Sequence, residues 1–209
     1  MQEKTKAVKT TLLIFALIAS LATSAATPNE RQARAFFDRA YRQVFGPQGS
    51  TLTYAVNIIG IYKTAGTIWY KGRKQAFTEK RYSSWNDGRT FYRADNKRKT
   101  VEIFNPGDPG RDKYASKFTF APDDYVYHVS DTPEGYLISL DAKEKAKSTI
   151  KHAKALVDKR TFAPLSLRIK VAFFWTTIHI SRFRSGGIND NIFVFPSRKY
   201  SGWKTIDHR

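Results

Sequence analysis

The chain has 209 residues, no cysteine, 14% aromatic residues and a formal net charge of +18. Missing cysteines exclude disulfides, thiolate metal sites and cysteine nucleophiles, and a hydrophobic share of 41% is too high for a disordered basic tail. A balance this basic is drawn to anionic surfaces, whether lipid head groups, nucleic acid or acidic proteins.

Residues 1–26 read as a secretory signal peptide. Lys4, Lys6 and Lys9 precede an apolar run over residues 12–21, and the small residues 22–26 follow. Charged, apolar and small-residue regions in that order are what export requires. The run is about half the roughly 20 residues of a membrane-spanning helix. No cysteine is present to carry an amino-terminal lipid. These features predict an exported, soluble protein, for which nucleic acid is not an expected partner. Residues 27–209 are then expected to form one domain. Its charge is about +16, because residues 1–26 carry three Lys and one Glu.

A helix is predicted first. Thr27-Pro28-Asn29-Glu30 has the form of a capping box with proline in the first turn. Ala33, Phe36, Phe37, Ala40, Tyr41 and Val44 recur at three- and four-residue spacing, and Gly46-Pro47 stops the run. The apolar stripe suits a helix packed on a core or one that plugs a cavity mouth, and periodicity does not separate the two.

Strands are predicted over residues 51–62, 66–70, 75–82, 89–93 and 100–104, with Asn86-Asp87-Gly88 as a hairpin turn. Turns this short force antiparallel pairing. Residues 105–122 carry five Pro or Gly, so a flexible insertion is expected there, followed by a short helix around Tyr125-Val126-Tyr127-His128. Strands resume over 136–141, 149–157, 165–171, 176–183 and 191–195. Leu165, Leu167, Ile169 and Val171 alternate cleanly with Ser166, Arg168 and Lys170. About nine antiparallel strands with few helices must fold as a sandwich, a barrel or a strongly curved half-barrel.

Signs of catalysis are thin. There is no G-x-S-x-G, P-loop or G-x-G-x-x-G. His128, His152, His179 and His208 lie far apart, and neither Asp123-Asp124 nor Asp207-His208 has the setting of a catalytic pair. No enzymatic activity, cofactor or metal is expected. The basic residues cluster between Lys71 and Lys99 and again between Lys143 and Arg160. Such residues solvate strands and discourage edge pairing, and the excess argues for docking to acidic protein or anionic lipid.

Several segments together resemble a known family. Gly66-Thr67-Ile68-Trp69-Tyr70-Lys71, Phe77 and Asn86-Asp87-Gly88-Arg89-Thr90-Phe91-Tyr92 resemble the early strands of the periplasmic outer-membrane lipoprotein carriers, LolA. Phe162-Ala163-Pro164-Leu165 is similar to that family's turn into a later strand. Phe193-Val194-Phe195-Pro196 through Tyr200 to Ile206-Asp207-His208-Arg209 is similar to its closing segment. The family's K-R-P-x-x-F-like turn reads Lys71-Gly72-Arg73-Lys74-Gln75-Ala76-Phe77 here, without proline, and the basic balance is extreme for the family.

The resemblance implies a mainly β fold with α, a curved, incomplete antiparallel barrel whose apolar inner face is covered by helices. The leading helix, with Phe36 and Phe37, and an insertion at about 105–130 become the lid, and the family's latch arginine carries over to Arg73. Ile68, Tyr70, Phe77, Phe104, Leu137, Leu167, Ile169, Ile178, Ile180 and Phe193 are the candidates for lining a groove that shelters acyl chains. The expected partners are acylated lipoproteins, an inner-membrane lipoprotein-release transporter, and an outer-membrane acceptor or anionic lipid, with the carrier a periplasmic monomer. The same residues also fit a closed core, and the same fold also suits a basic envelope adaptor or sensor that docks acidic proteins or anionic lipid without carrying acyl chains.

Overall fold

A computed structural model of the chain describes residues 26–58, 62–111, 120–171 and 173–209. The segment read as a signal peptide lies, up to residue 25, outside the described residues.

The leading helix α1 (Pro28–Phe45) begins and ends where its caps dictate. Thr27 Oγ1 accepts from the Glu30 N–H at 3.1 Å, and Glu30 reaches back to the Thr27 N–H at 2.5 Å. The two bonds satisfy donors that a helix start leaves orphaned. Gly46 closes the last turn through Arg42 O at 2.9 Å. Gly49 then turns the chain into the sheet with φ +77°, and a Cβ there would stand 2.7 Å from Tyr70 O. Only glycine fits both demands.

Twelve strands form one sheet among the described residues: β1 (Ser50–Ile58), β2 (Tyr62–Lys71), β3 (Lys74–Glu79), β4 (Tyr82–Asn86), β5 (Phe91–Asp95), β6 (Thr100–Phe104), β7 (Tyr125–Thr132), β8 (Gly135–Ala142), β9 (His152–Val157), β10 (Pro164–Val171), β11 (Phe174–Ser185) and β12 (Lys204–Asp207). Their spatial order is β12-β6-β5-β4-β3-β2-β1-β11-β10-β9-β8-β7. The sheet is curved and unclosed, with β12 and β7 as its edges.

Helix α1 crosses the inner face from one edge toward the middle. At its start the Asn29 side chain bonds the main chain of Val129 in β7. At its end Ser50 Oγ donates to Val44 O at 2.7 Å, and the Phe45 ring meets Tyr70 at 4.7 Å. Ala33 and Ala40 are buried and let the helix backbone come close. Between them Phe36 packs on Tyr136 and Phe162, and Phe37 on Tyr127. These contacts form the main core, with Ile138, Leu140, Ala153 and Val157 beneath.

The opposite, outer face of β2–β5 is covered by the carboxy-terminal segment. Ile188, Ile192 and Phe193 pack on Trp69, Ala76 and Trp85, while Phe195, Tyr200 and Trp203 pack around Ala94, Val101 and Tyr92.

Four elements differ from expectation. Residues 191–195 are not a strand: Asp190–Phe193 is a 3-10 turn, started by the Asn189 side chain accepting from Asn191 N–H. Residues 125–132 form an edge strand in place of a short helix, because Tyr125, Tyr127 and Val129 turn inward and alternate with exposed Val126, His128 and Ser130. The expected lid insertion over 105–130 therefore ends before Tyr125. The expected strand 75–82 breaks at Lys80-Arg81 into β3 and β4. Finally, β12 joins β6 in parallel, which adds one parallel pair to an otherwise antiparallel sheet.

Candidate functional site

Residues directly opposite in a ladder share a face, so the register settles which side chains meet under α1. Leu167 lies opposite Ala155 and Ile178, and Ile169 opposite Ala153 and Thr176. Ile178 and Ile180 lie opposite Val56 and Tyr54. Leu52, Tyr54 and Val56 lie opposite Ile68, Gly66 and Thr64, and Ile68 lies opposite Phe77. Ile68, Tyr70, Phe77, Leu167, Ile169, Ile178 and Ile180 thus stand on one continuous inner face.

These seven side chains are only half-buried, whereas Ile138, under the first half of α1, is 0% exposed. The helix therefore does two jobs along its length. Its first half, through Ala33, Phe36 and Phe37, seals a dry core. Its second half covers the strands loosely, with Tyr41 36% and Phe45 38% exposed. The result is an apolar trough over β10, β11, β1, β2 and β3, bordered by the dry core at Ile169.

Three sequence-derived candidates do not line this trough. Leu137 pairs with Leu156 and points to the outer face, while its neighbours Tyr136 and Ile138 point inward. A one-residue shift in a strand always exchanges faces. Phe193 is buried on the outer face against Ala76 and Ile188, because its segment is a 3-10 turn and not a strand. Phe104 does face inward, but it is buried and its ring is covered by His208, stacked at 4.5 Å. Leu52, Tyr54 and Val56, at the trough's centre, went unnamed as lining residues. Their alternation was visible in the sequence, but nothing in it marked β1 as the strand joining the two halves of the sheet.

Arg73 does not latch the helix. It is exposed in the β2–β3 turn and makes no side-chain hydrogen bond or ion pair among the described residues. That turn instead meets the helix end through Gly72 N–H to Gly46 O at 3.4 Å. Its lysines are held by Asp190, at 3.2 Å from Lys71 and 2.9 Å from Lys74.

Polarity changes across the sheet. Beyond β3 the inner face carries Ser84, Asn86, Arg93, Asp95 and Glu102, with Arg93 bonded to Glu102 at 2.8 Å and 3.1 Å. This ion pair bounds the apolar trough on one side. On the other, burial pushes the Tyr127 hydroxyl well above the ordinary phenol range, and burial does the same to Tyr70. Both hydroxyls therefore stay protonated and neutral.

The geometry can be compared with known proteins. No family model and no curated protein matches the sequence. Among solved structures, an uncharacterised conserved protein from Thermus thermophilus is similar at 9% identity and TM-score 0.59, covering 85% of this chain and 99% of that one. A LolA superfamily protein from Nitrosomonas europaea is similar at 10% identity and TM-score 0.39, over 79% of this chain and 98% of that one. Lipoprotein LppX from Mycobacterium tuberculosis is similar at 9% identity and TM-score 0.44, over 77% and 98%. The fold is a curved, unclosed half-barrel with a leading helix laid across its inner face, the architecture that the resemblance to the LolA family implied.

In this half-barrel several of the side chains weighed as catalytic candidates, Asp123, Asp124, Asp207 and His152, have structural partners. Asp123 pairs with Arg34 at 2.8 Å, and Asp124 accepts from Ser148 N and Oγ at 2.8 Å and 2.7 Å. Asp207 pairs with Arg209 at 2.6 Å, which lowers its pKa to about 2. His152 bonds Asp141 at 2.7 Å on the exposed side of the sheet.

Proposed function

We propose that this protein is a non-catalytic carrier that binds the acyl chains of lipoproteins in the trough beneath α1 and shuttles them across the periplasm. It would receive them from an inner-membrane release transporter and pass them toward the outer membrane. The carrying observation is the row of half-buried Ile68, Phe77, Leu167, Ile178 and Ile180 under a helix whose second half is ajar.

The physical chemistry fits that task. Burying an acyl chain is worth roughly 0.8 kcal/mol per methylene, so one long chain gains about 10 kcal/mol. Three such chains at full value would exceed the practical ceiling of about 20 kcal/mol for reversible binding. Exchange between two apolar phases is nearly balanced, so a carrier needs a groove that is apolar but imperfectly closed. A side chain held half out of water already supplies such a surface, because a bound chain completes burial that the fold leaves unfinished.

Native mass spectrometry of protein purified from its own envelope should find acylated species bound. Ile169→Glu should abolish cross-linking to lipoproteins while leaving the circular dichroism spectrum intact. Retention of cargo by Ile169→Glu and Ile178→Glu together would defeat the proposal.

A further inference from the structure

The β10–β11 hairpin ends in consecutive aromatic side chains that the described fold leaves bare. Phe173 is 89% exposed, Phe174 72% and Trp175 37%. Single exposed apolar residues are ordinary on protein surfaces, but large ones grouped at one point mark an interaction site.

The register places this tip. Phe174 pairs with Val171 and, two residues before Thr176 and four before Ile178, shares their face. It therefore stands at the open end of the apolar trough. Trp175 takes the outer face, opposite Lys170, with Lys154 Nζ 5.3 Å and Arg168 Cζ 5.4 Å from its ring centroid. Cations flanking an aromatic body suit the boundary between lipid and water.

The surroundings carry the matching charge. Asp141 pairs with His152, and Ala153 with Ile169, so the β8–β9 connection reaches the same rim as the tip. That connection presents Lys143, Lys145, Lys147 and Lys151, all exposed. It is held in place by Ser148, whose N–H and hydroxyl donate to Asp124 and whose oxygen accepts from Ala121 N–H.

We propose that this hairpin tip is a wedge that inserts into an anionic bilayer, with the lysine-rich β8–β9 connection gripping the head groups. An acidic protein would pair the lysines without calling for bare phenylalanines, so the lipid surface is the occupant that uses both features. Docking this way turns the open end of the trough onto the membrane. An acyl chain then passes along Phe174, Thr176 and Ile178 without crossing bulk water, a consequence that rests on the carrier reading. Each basic residue brought close to such a surface strengthens binding roughly fivefold.

The cysteine-free chain makes the test direct. Phe173→Cys and Val194→Cys, both at exposed positions, would each carry a nitrobenzoxadiazole label. With phosphatidylglycerol-containing vesicles, emission at position 173 should rise severalfold and shift to the blue, and emission at position 194 should stay unchanged. Pure phosphatidylcholine vesicles should produce at most a tenth of the effect. A Phe173→Ser, Trp175→Ser double variant, which leaves the trough face untouched, should lose flotation with the vesicles at least tenfold yet still bind a fluorescent fatty acid. Ile169→Glu should show the reverse, which separates failure of the wedge from failure of the carrier reading. Unchanged emission at 173, an equal response at 194, or capture by polyglutamate in place of vesicles would overturn the proposal.

Discussion

The Asn29 side-chain amide grips both main-chain groups of Val129, donating to its carbonyl and accepting from its N–H at 3.0 Å each way. The pair ties the first turn of α1 to β7, an edge strand whose outward groups would otherwise be a template for unwanted pairing. Asn29→Ala should cost about 1–2 kcal/mol in urea denaturation, because a part-buried N–H loses its partner. Hydrogen exchange at Val129 should rise more than at β1.

Gly49 sits at φ +77° with Tyr70 O 2.7 Å and Ile188 Cβ 2.8 Å from where a Cβ would be. Gly49→Ala should destabilise by about 2 kcal/mol or more, since strain and overpacking add. The readout is a lowered Tm without loss of the α1 signal in circular dichroism.

Ile138 and Ile178 share a face of the sheet but not an environment, the first sealed and the second half-buried. Ile138→Ala should cost about 3 kcal/mol, as cavity formation in a tight core does. Ile178→Ala should cost under about 1.5 kcal/mol and instead weaken fatty-acid binding. Equal stability losses, with no change in binding for either, would mean that the trough is simply core.

Asp95 carries a pH dependence. Burial is the largest influence on its carboxyl and acts to raise the pKa, but N–H donors from Arg98 and Lys97 and the Arg81 guanidinium outweigh it and hold the pKa below the ordinary value. A depressed folded pKa gives stability that is present above the unfolded value of about 3.9 and lost as pH falls through the folded one. Asp95→Asn should therefore be less stable than wild type near pH 7. The gap should close once pH falls well below the ordinary aspartate range, which urea titrations at several pH values would show.

Much of the fold could be read from local chemistry. The capping box at Thr27 and Glu30 and the strict alternation from Leu165 to Lys170 each specify their element with no outside help. The β5–β6 hairpin was legible for the same reason. What escaped were features decided by distant packing. Residues 191–195 look like a strand, yet the Asn189 side chain and the aromatic layer around Trp85 make them a turn. Leu137 and Ile138 are equally apolar, and only pairing with β9 decides which faces α1. Of the trough, the alternating strands β10 and β11 declared their inner residues. The central role of β1 depended on strand order, which no local pattern records.

A closed barrel has its bore fixed by strand number and stagger. Here the chain's two border strands, β7 and β12, are never joined, so no ladder of hydrogen bonds sets a fixed calibre. Their separation is therefore free to vary. On the carrier reading, guests of different girth would be tolerated at the cost of a little strand twist, with every rung intact.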